Sequence, residues 1–215
     1  FVGGAVIPHP DGDREQGWVI VNRTINGATK GYVEYLDDSI AYYRQRFLDA
    51  SVIYNGSAAS VMTGLSHLEC QTVRAQVAGN DCGLFAVVNG QISGWAAGTP
   101  IEVGLDMTSR LTTLEPIINL GGQAVRPMKK RWSRLYAVVD ETVNLAFSST
   151  CGPTVSPIWR RPGIDSSNVA PPQRSGTFEV TAGSGWNDAK ITITQSAPYP
   201  STILEVGGIL DVGDA

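Results

Sequence analysis

Residues 18–36 read WVIVNRTINGATKGYVEYL, and this stretch decides the fold class. Two runs rich in β-branched and aromatic residues, 18–24 and 29–35, flank the pair Asn26-Gly27. Alternation along a strand sends successive side chains to opposite faces, and Asn-Gly supplies the positive φ angles of a tight hairpin turn. The stretch therefore reads as an antiparallel β-hairpin. Trp18, Ile20 and Asn22 share one face and Val19, Val21 and Arg23 the other, so both faces are largely apolar near the start. A strand of this kind is expected to be covered on both sides, in a sandwich or between subunits.

Upstream, FVGGAVIPHP (1–10) reads as a further apolar strand, and its abrupt start without Met suggests a piece of a longer protein. Downstream, DDSIAYYRQRFL (37–48) is either a helix of a few turns, capped by Asp37 or Asp38, or an irregular connection whose aromatics pack on the sheet. Short strands return as SVIY, VMTGL, QTVRAQVA, LFAVV, QISGW and IEVG, punctuated by Gly and Asn, which predicts a small barrel or sandwich. Residues 107–123 read as a connector, broken by Pro116 and Gly121-Gly122. A long β-pattern follows over 129–148, in which Leu135, Ala137 and Val139 alternate with Arg134, Tyr136 and Val138, and Asp140-Glu141 turns or bulges the chain. Residues 151–176 form a Pro-rich loop suited to reaching a neighbour, residues 176–181, 189–195 and 202–206 form closing strands, and GGILDVGDA (207–215) looks like an exposed tail. The expected class is all-β: a hairpin and connecting segment (1–50) continuing a domain whose start is missing, a small barrel or sandwich (51–105), and a sandwich-like C-terminal part (106–215).

Composition agrees with this reading. Charged residues are 17% of the chain, with 24 Gly and 12 Pro, a balance that favours a turn-rich β protein. At 215 residues the chain has room for one large or two small domains. A formal net charge of -4 gives no bulk attraction to nucleic acid or to an anionic membrane. No apolar run approaches ~18 residues, so no membrane-spanning helix is expected. Cys70, Cys82 and Cys151 have no short paired spacing, which argues against a disulfide framework or a zinc site and predicts isolated, mostly buried thiols.

Converging chemical groups are few. His67 and Cys70 in GLSHLECQT form a thiol–base pair only if their side chains are turned together, and a structural histidine at a strand edge is the commoner role. The carboxylate pairs Asp11 with Asp13, Asp37 with Asp38, and Asp140 with Glu141 read as solvated turns, because PDGDRE lacks the further ligands of a calcium loop. GGAVIP and AGSGW lack the Gly-Lys-Ser/Thr element of a phosphate-binding loop. No catalytic, cofactor or metal residue is assigned. Positive charge concentrates at Arg126, Lys129, Lys130, Arg131 and Arg134, near Trp132. These residues either touch nucleic-acid phosphates or form a solvated strand end or a salt-bridged subunit surface.

Several strings carry more than composition. GGAVIPHPDGDREQGWVIVNRTINGATKGYVEYL, GLSHLECQTVRAQVAG, NGQISGW, VGLDMTSRLTTLEP and the closing FEVTAGSGWNDAKITITQSAPYPSTILEVGGIL together resemble, in order from about residue 12 to residue 210, the tail tubular or nozzle proteins of short-tailed phages and the related packaged-DNA stabilisation proteins. The chain departs from that pattern with Cys70 where Gly is expected and with Leu105-Asp106-Met107 where a Pro-Tyr string is expected; both bear on local turn shape. The resemblance implies a structural virion protein of the phage tail. It implies a ring, commonly a hexamer, below the portal and its adaptor protein, next to tail fibre or spike proteins. Such a ring retains packaged DNA and conducts it with transient, non-specific contact, and it performs no catalysis. The alternatives are a tail-associated cell-wall hydrolase, which needs a carboxylate pair or a metal, and a carbohydrate-binding attachment module, which needs Trp95, Trp159 or Trp186 on an exposed face.

Overall fold

The computed structural model describes residues 1–10, 12, 14–36, 47–117, 119–120, 123–124, 129–166, 169–180 and 185–213. The chain is all-β: antiparallel strands and one 3-10 turn, Ser66–Leu68, are its regular elements among the described residues. It divides into two compact units, Phe1–Met107 with Asn168–Ala170, and Thr108–Ser167 with Pro171–Ala215. The segment expected as a helix or connection over 37–48 lies outside the described residues except for Phe47 and Leu48.

The first unit holds β1 (Gly3–Pro8), β2 (Glu15–Ile25), β3 (Ala28–Tyr35), β4 (Asp49–Tyr54), β5 (Ala59–Met62), β6 (Thr72–Val77), β7 (Asn80–Ala86), β8 (Ile92–Gly98) and β9 (Ile101–Leu105). The hairpin forms as its sequence requires. Asn26 at φ 50° and Gly27 at φ 72° make the turn, and Ile25 faces Ala28. Upstream, β1 adds to the other edge of β2, giving the order β1-β2-β3. Next in the chain is the four-stranded sheet β4-β9-β6-β7, with β5 and β8 paired beside it. In β6 the period-2 pattern buries Val73, Ala75 and Val77 and turns Thr72, Arg74 and Gln76 away from the core. Central β9 is buried over Ile101–Gly104, and its apolar sequence suits a strand flanked on both edges. Its one charge, Glu102, accepts the backbone N–H groups of Phe47 at 3.2 Å and Leu48 at 3.3 Å, which fixes where the chain re-enters the sheet. Gly104 permits the close approach there: a Cβ would stand 2.7 Å from the Asp49 carbonyl oxygen.

The second unit holds β10 (Ser109–Thr112), β11 (Asn119–Leu120), β12 (Gln123–Ala124), β13 (Lys130–Thr142), β14 (Ala146–Ser149), β15 (Arg174–Val180), β16 (Ile191–Gln195) and β17 (Thr202–Val212). Two three-stranded sheets, β15-β13-β17 and β10-β16-β14, enclose one core. Leu135, Ala137 and Val139 of β13 and Val180 of β15 meet Ile191 and Ile193 of β16 and Phe147 of β14, an arrangement of two sheets packed face to face. The pair Asp140-Glu141 bulges β13: the register with β15 shifts between Val139 and Thr142, and Glu141 has φ 42°.

Two expectations are corrected here. The presumed connector contains β10, which pairs with β16. The presumed tail is the second half of β17, whose residues Gly207–Val212 pair with Tyr136 through Lys130. β13 is 13 residues long while β15 is 7; β17 runs beside β13 from Lys130 to Asp140, and at its start Lys130 also exchanges backbone hydrogen bonds with Asn187, at 2.7 and 2.9 Å.

Candidate functional site

The basic cluster lies at the start of β13, and the structure supplies a carboxylate to each described arginine and to the buried lysine. Lys130 is wholly buried, and its Nζ donates to Glu115 Oε1 at 2.7 Å. Arg131 donates to Asp211 at 3.0 Å from neighbouring β17, and its guanidinium lies over the Trp186 ring, 4.7 Å from the centroid. Arg134 makes a two-pronged contact with Glu179 of β15, at 3.0 and 2.9 Å. The Arg134 contact holds the Glu179 carboxyl below its ordinary range, and Glu179 in turn raises Arg134. Lys129 is exposed, and Arg126 lies outside the described residues. Four sequence-predicted cations are thus brought to one strand end. Sequence proximity alone did not reveal their acidic partners.

A second charged cluster joins β2, β3 and β4. Arg23 donates to both oxygens of Glu34, at 2.8 Å each, and to Asp49 at 2.8 Å, and this charged pair of acceptors raises the arginine further. A cleft of about 680 Å³ opens beside it, lined in part by Val19, Tyr32, Leu48 and His67. In the same unit Arg74 bridges Asp106, by two contacts at 2.7 and 3.3 Å, and Asp81 at 2.6 Å. Asp106 belongs to the string in which the chain departs from the nozzle pattern, and here it is an arginine acceptor.

The GLSHLEC segment is built for shape. Leu65 and Leu68 are fully buried, and the Glu69 carboxylate accepts the N–H groups of Asn89 at 2.9 Å and Gly90 at 2.7 Å, closing the turn between β7 and β8. His67 Nε2 lies 3.5 Å from the Ala50 carbonyl oxygen. Of the thiols expected to be buried, Cys70 and Cys151 are exposed and Cys82 is half-buried. Both exposed cysteines adopt positive φ, 61° and 60°, in turns at the surface, where the hydrophobicity of a thiol does not decide its position.

Asp140 and Glu141 share Ser175: its hydroxyl donates to Asp140 Oδ1 at 2.7 Å and accepts the Glu141 N–H at 2.9 Å, an arrangement that closes the β13 bulge. Asp11, Asp13, Asp37 and Asp38 lie outside the described residues. Among the described residues no group of three or more His, Cys, Asp or Glu side chains is placed to hold a metal ion. The tryptophans named as sugar platforms are engaged within the chain. Trp159 is buried and donates to the Leu145 carbonyl at 2.8 Å; Trp95 donates to the Ala59 carbonyl at 3.0 Å and meets Phe85 edge-on; Trp186 lies under Arg131 and stays exposed.

The feature that motif reading missed is a segregation of charge across the β1-β2-β3 sheet. Opposed residues of antiparallel strands share a face, so the register puts Glu15, Arg23, Lys30 and Glu34, every charged residue of these strands, on one side. That inner side packs on the first core through Ile25 and Tyr32. Among the described residues the outer side carries no charge on its strands and, apart from buried Gln16, is open or half-open to solvent, so the strand expected to be covered on both faces is covered by described residues on one. The signal was present in the alternation of residues 15–35.

No known family model matches this chain, and no curated protein matches it either.

Proposed function

We propose that this protein is a structural component of the tail nozzle of a short-tailed phage, forming a closed ring that retains packaged DNA and conducts it during ejection. The ordered resemblance of strings from about residue 12 to residue 210 supports the class. The observation that carries the mechanism is the neutralised end of β13, where Lys130, Arg131 and Arg134 are held by Glu115, Asp211 and Glu179. Each phosphate gripped by an uncommitted cation adds about one counterion-release equivalent to binding, so a conduit must keep such contacts few if DNA is to slide. Cations matched by carboxylates of the same chain satisfy that demand and stiffen the sheet. Two small β units with long surface loops suit a ring subunit, whose neighbours meet head to tail. The portal adaptor, the tail fibres or spikes and the double-stranded DNA in transit are the partners this reading assigns, and the virion tail is the location. Burial of Trp159 and the packing of Trp95 against Phe85 give the carbohydrate-binding alternative less support, while Trp186, 43% exposed, carries Arg131 over its ring.

The test is imaging of the intact particle together with the mass of the protein in it. A ring of this chain at the tail end below the portal is the expected result, and a chain absent from particles overturns the reading. Within the ring, Lys129→Ser combined with Arg131→Ser tests a lumen contact; Lys130 is left in place because it is buried. If β13 begins at the lumen, DNA retention changes while assembly persists.

A further inference from the structure

The chain holds three Asn-Gly pairs, Asn26-Gly27, Asn55-Gly56 and Asn89-Gly90. Asparagine is chemically labile, and a following glycine leaves the next main-chain nitrogen unshielded against the side-chain amide. The fold treats the three pairs differently. Asn26 and Asn89 stand at φ 50° and 55°, in the left-handed region, where ψ is positive too. Such a ψ turns the next nitrogen nearly anti to Cβ, as far from the amide carbon as rotation about Cα–C can take it. Both pairs are also held in place: Ile25 and Ala28 close the first turn as a cross-strand pair, and Glu69 accepts the N–H groups of Asn89 and Gly90 at 2.9 and 2.7 Å. Asn55-Gly56 has neither restraint. It lies on the bend between β4 and β5, both residues are exposed, neither has a positive φ, and the Gly56 N–H has no hydrogen-bond partner among the described residues. A side chain at residue 56 would collide with the Tyr54 ring, so packing itself requires the glycine that leaves this nitrogen bare.

We propose that Asn55 is a site of spontaneous deamidation, the Asn-Gly pair that the fold leaves reactive. A base in the solvent takes the Gly56 N–H proton, and the nitrogen attacks Asn55 Cγ. The N–Cγ bond forms, the Cγ–Nδ2 bond breaks, and ammonia leaves a succinimide. Water then adds to one of the two imide carbonyls. Opening at Cγ gives aspartate; opening at the main-chain carbonyl gives isoaspartate, in which the chain runs through the former side chain. Nothing is oxidised or reduced, and water is the co-reactant. Each chain gains one negative charge and, in the isoaspartyl form, one extra main-chain atom. The change falls in the short link from Tyr54, opposite Ile101 of β9, to Ala59, opposite Gly98 of β8. The inference goes beyond the nozzle reading and does not rest on it.

The test is incubation of the purified 215-residue chain at neutral and at mildly alkaline pH, followed by peptide mass mapping that separates aspartyl from isoaspartyl forms. In the folded chain the Asn55 peptide is expected to convert at least about tenfold faster than the Asn26 and Asn89 peptides, because Asn89 must first give up two hydrogen bonds to a carboxylate and Asn26 its turn. Conversion is expected to quicken with pH and to yield isoaspartate, which direct hydrolysis of the amide does not form. In urea the three rates are expected to converge, since the dipeptide is the same. Asn55→Gln, whose longer side chain would have to close a larger imide, is expected to remove the more acidic form of the intact chain on isoelectric focusing. A folded chain in which Asn26 or Asn89 converts as fast as Asn55 overturns the proposal. So does an Asn55 peptide that stays intact when folded and converts in urea, or an acidic form that Asn55→Gln leaves in place. The nozzle reading is judged separately, by the presence of the ring in particles.

Discussion

Cys70 adopts φ 61°, a left-handed conformation that costs an L residue about 1 kcal/mol and that glycine enters freely. The nozzle pattern has Gly at this position, and the backbone geometry here is the one a glycine favours. Cys70→Gly is therefore expected to stabilise the chain by about 0.5–1 kcal/mol, read as a raised urea midpoint; an unchanged or lowered midpoint would mean that the cysteine side chain makes compensating contacts. The same residue bears on reactivity. Cys70 and Cys151 are exposed, whereas burial, and secondarily the nearby Asp81 carboxylate, raise the Cys82 thiol above its ordinary value. Alkylation at neutral pH followed by intact mass should show two rapid additions and a slow third. Three equally rapid additions would place Cys82 at the surface.

At the scale of elements, β13 organises the second unit. Its first residue is a fully buried lysine whose partner, Glu115, is 20% exposed at the side chain. Removing one member of such a pair leaves a charge poorly solvated, at a cost of about 3–5 kcal/mol. Lys130→Met keeps the length and apolar bulk of the stem, so it isolates the charge. It is expected to lower stability by about 3 kcal/mol, and pairing it with Glu115→Gln in a double-mutant cycle should recover much of that loss. An additive cycle would show that Glu115 is not the partner that matters. The hairpin and β6 were legible in sequence because a period of two and an Asn-Gly turn are local signals. The second half of β17 was not. Gly207 and Gly208 have no side chain to alternate, and their strand state is set by the long neighbour they pair with. Likewise the cations at residues 129–134 were plain to read, but their carboxylates come from 15, 80 and 45 residues away. Only the fold brings those together.

Three carboxylates of the second unit share one electrostatic behaviour. Lys190, and then Thr150, hold Asp188 down to about 2; the Arg161 backbone N–H does the same in direction for Asp165, and the Arg134 guanidinium for Glu179. Free carboxyl groups titrate at about 3.9 for Asp and about 4.3 for Glu, so in each case the folded state holds its proton less tightly than the unfolded state. The sign follows from linkage. Stability from these groups is fully present above the unfolded value and is lost as pH falls through that value toward the folded one. The urea midpoint is therefore expected to be level from about pH 7 to about pH 5 and to fall between about pH 4 and pH 2. Asp188→Asn removes one such group. Its midpoint should lie below wild type at neutral pH and converge with it in acid, because protonation has by then taken the same interaction from the wild-type chain. Parallel curves, with the variant equally destabilised at pH 7 and pH 2, would mean that Asp188 acts through its shape and hydrogen bonds and not through its charge.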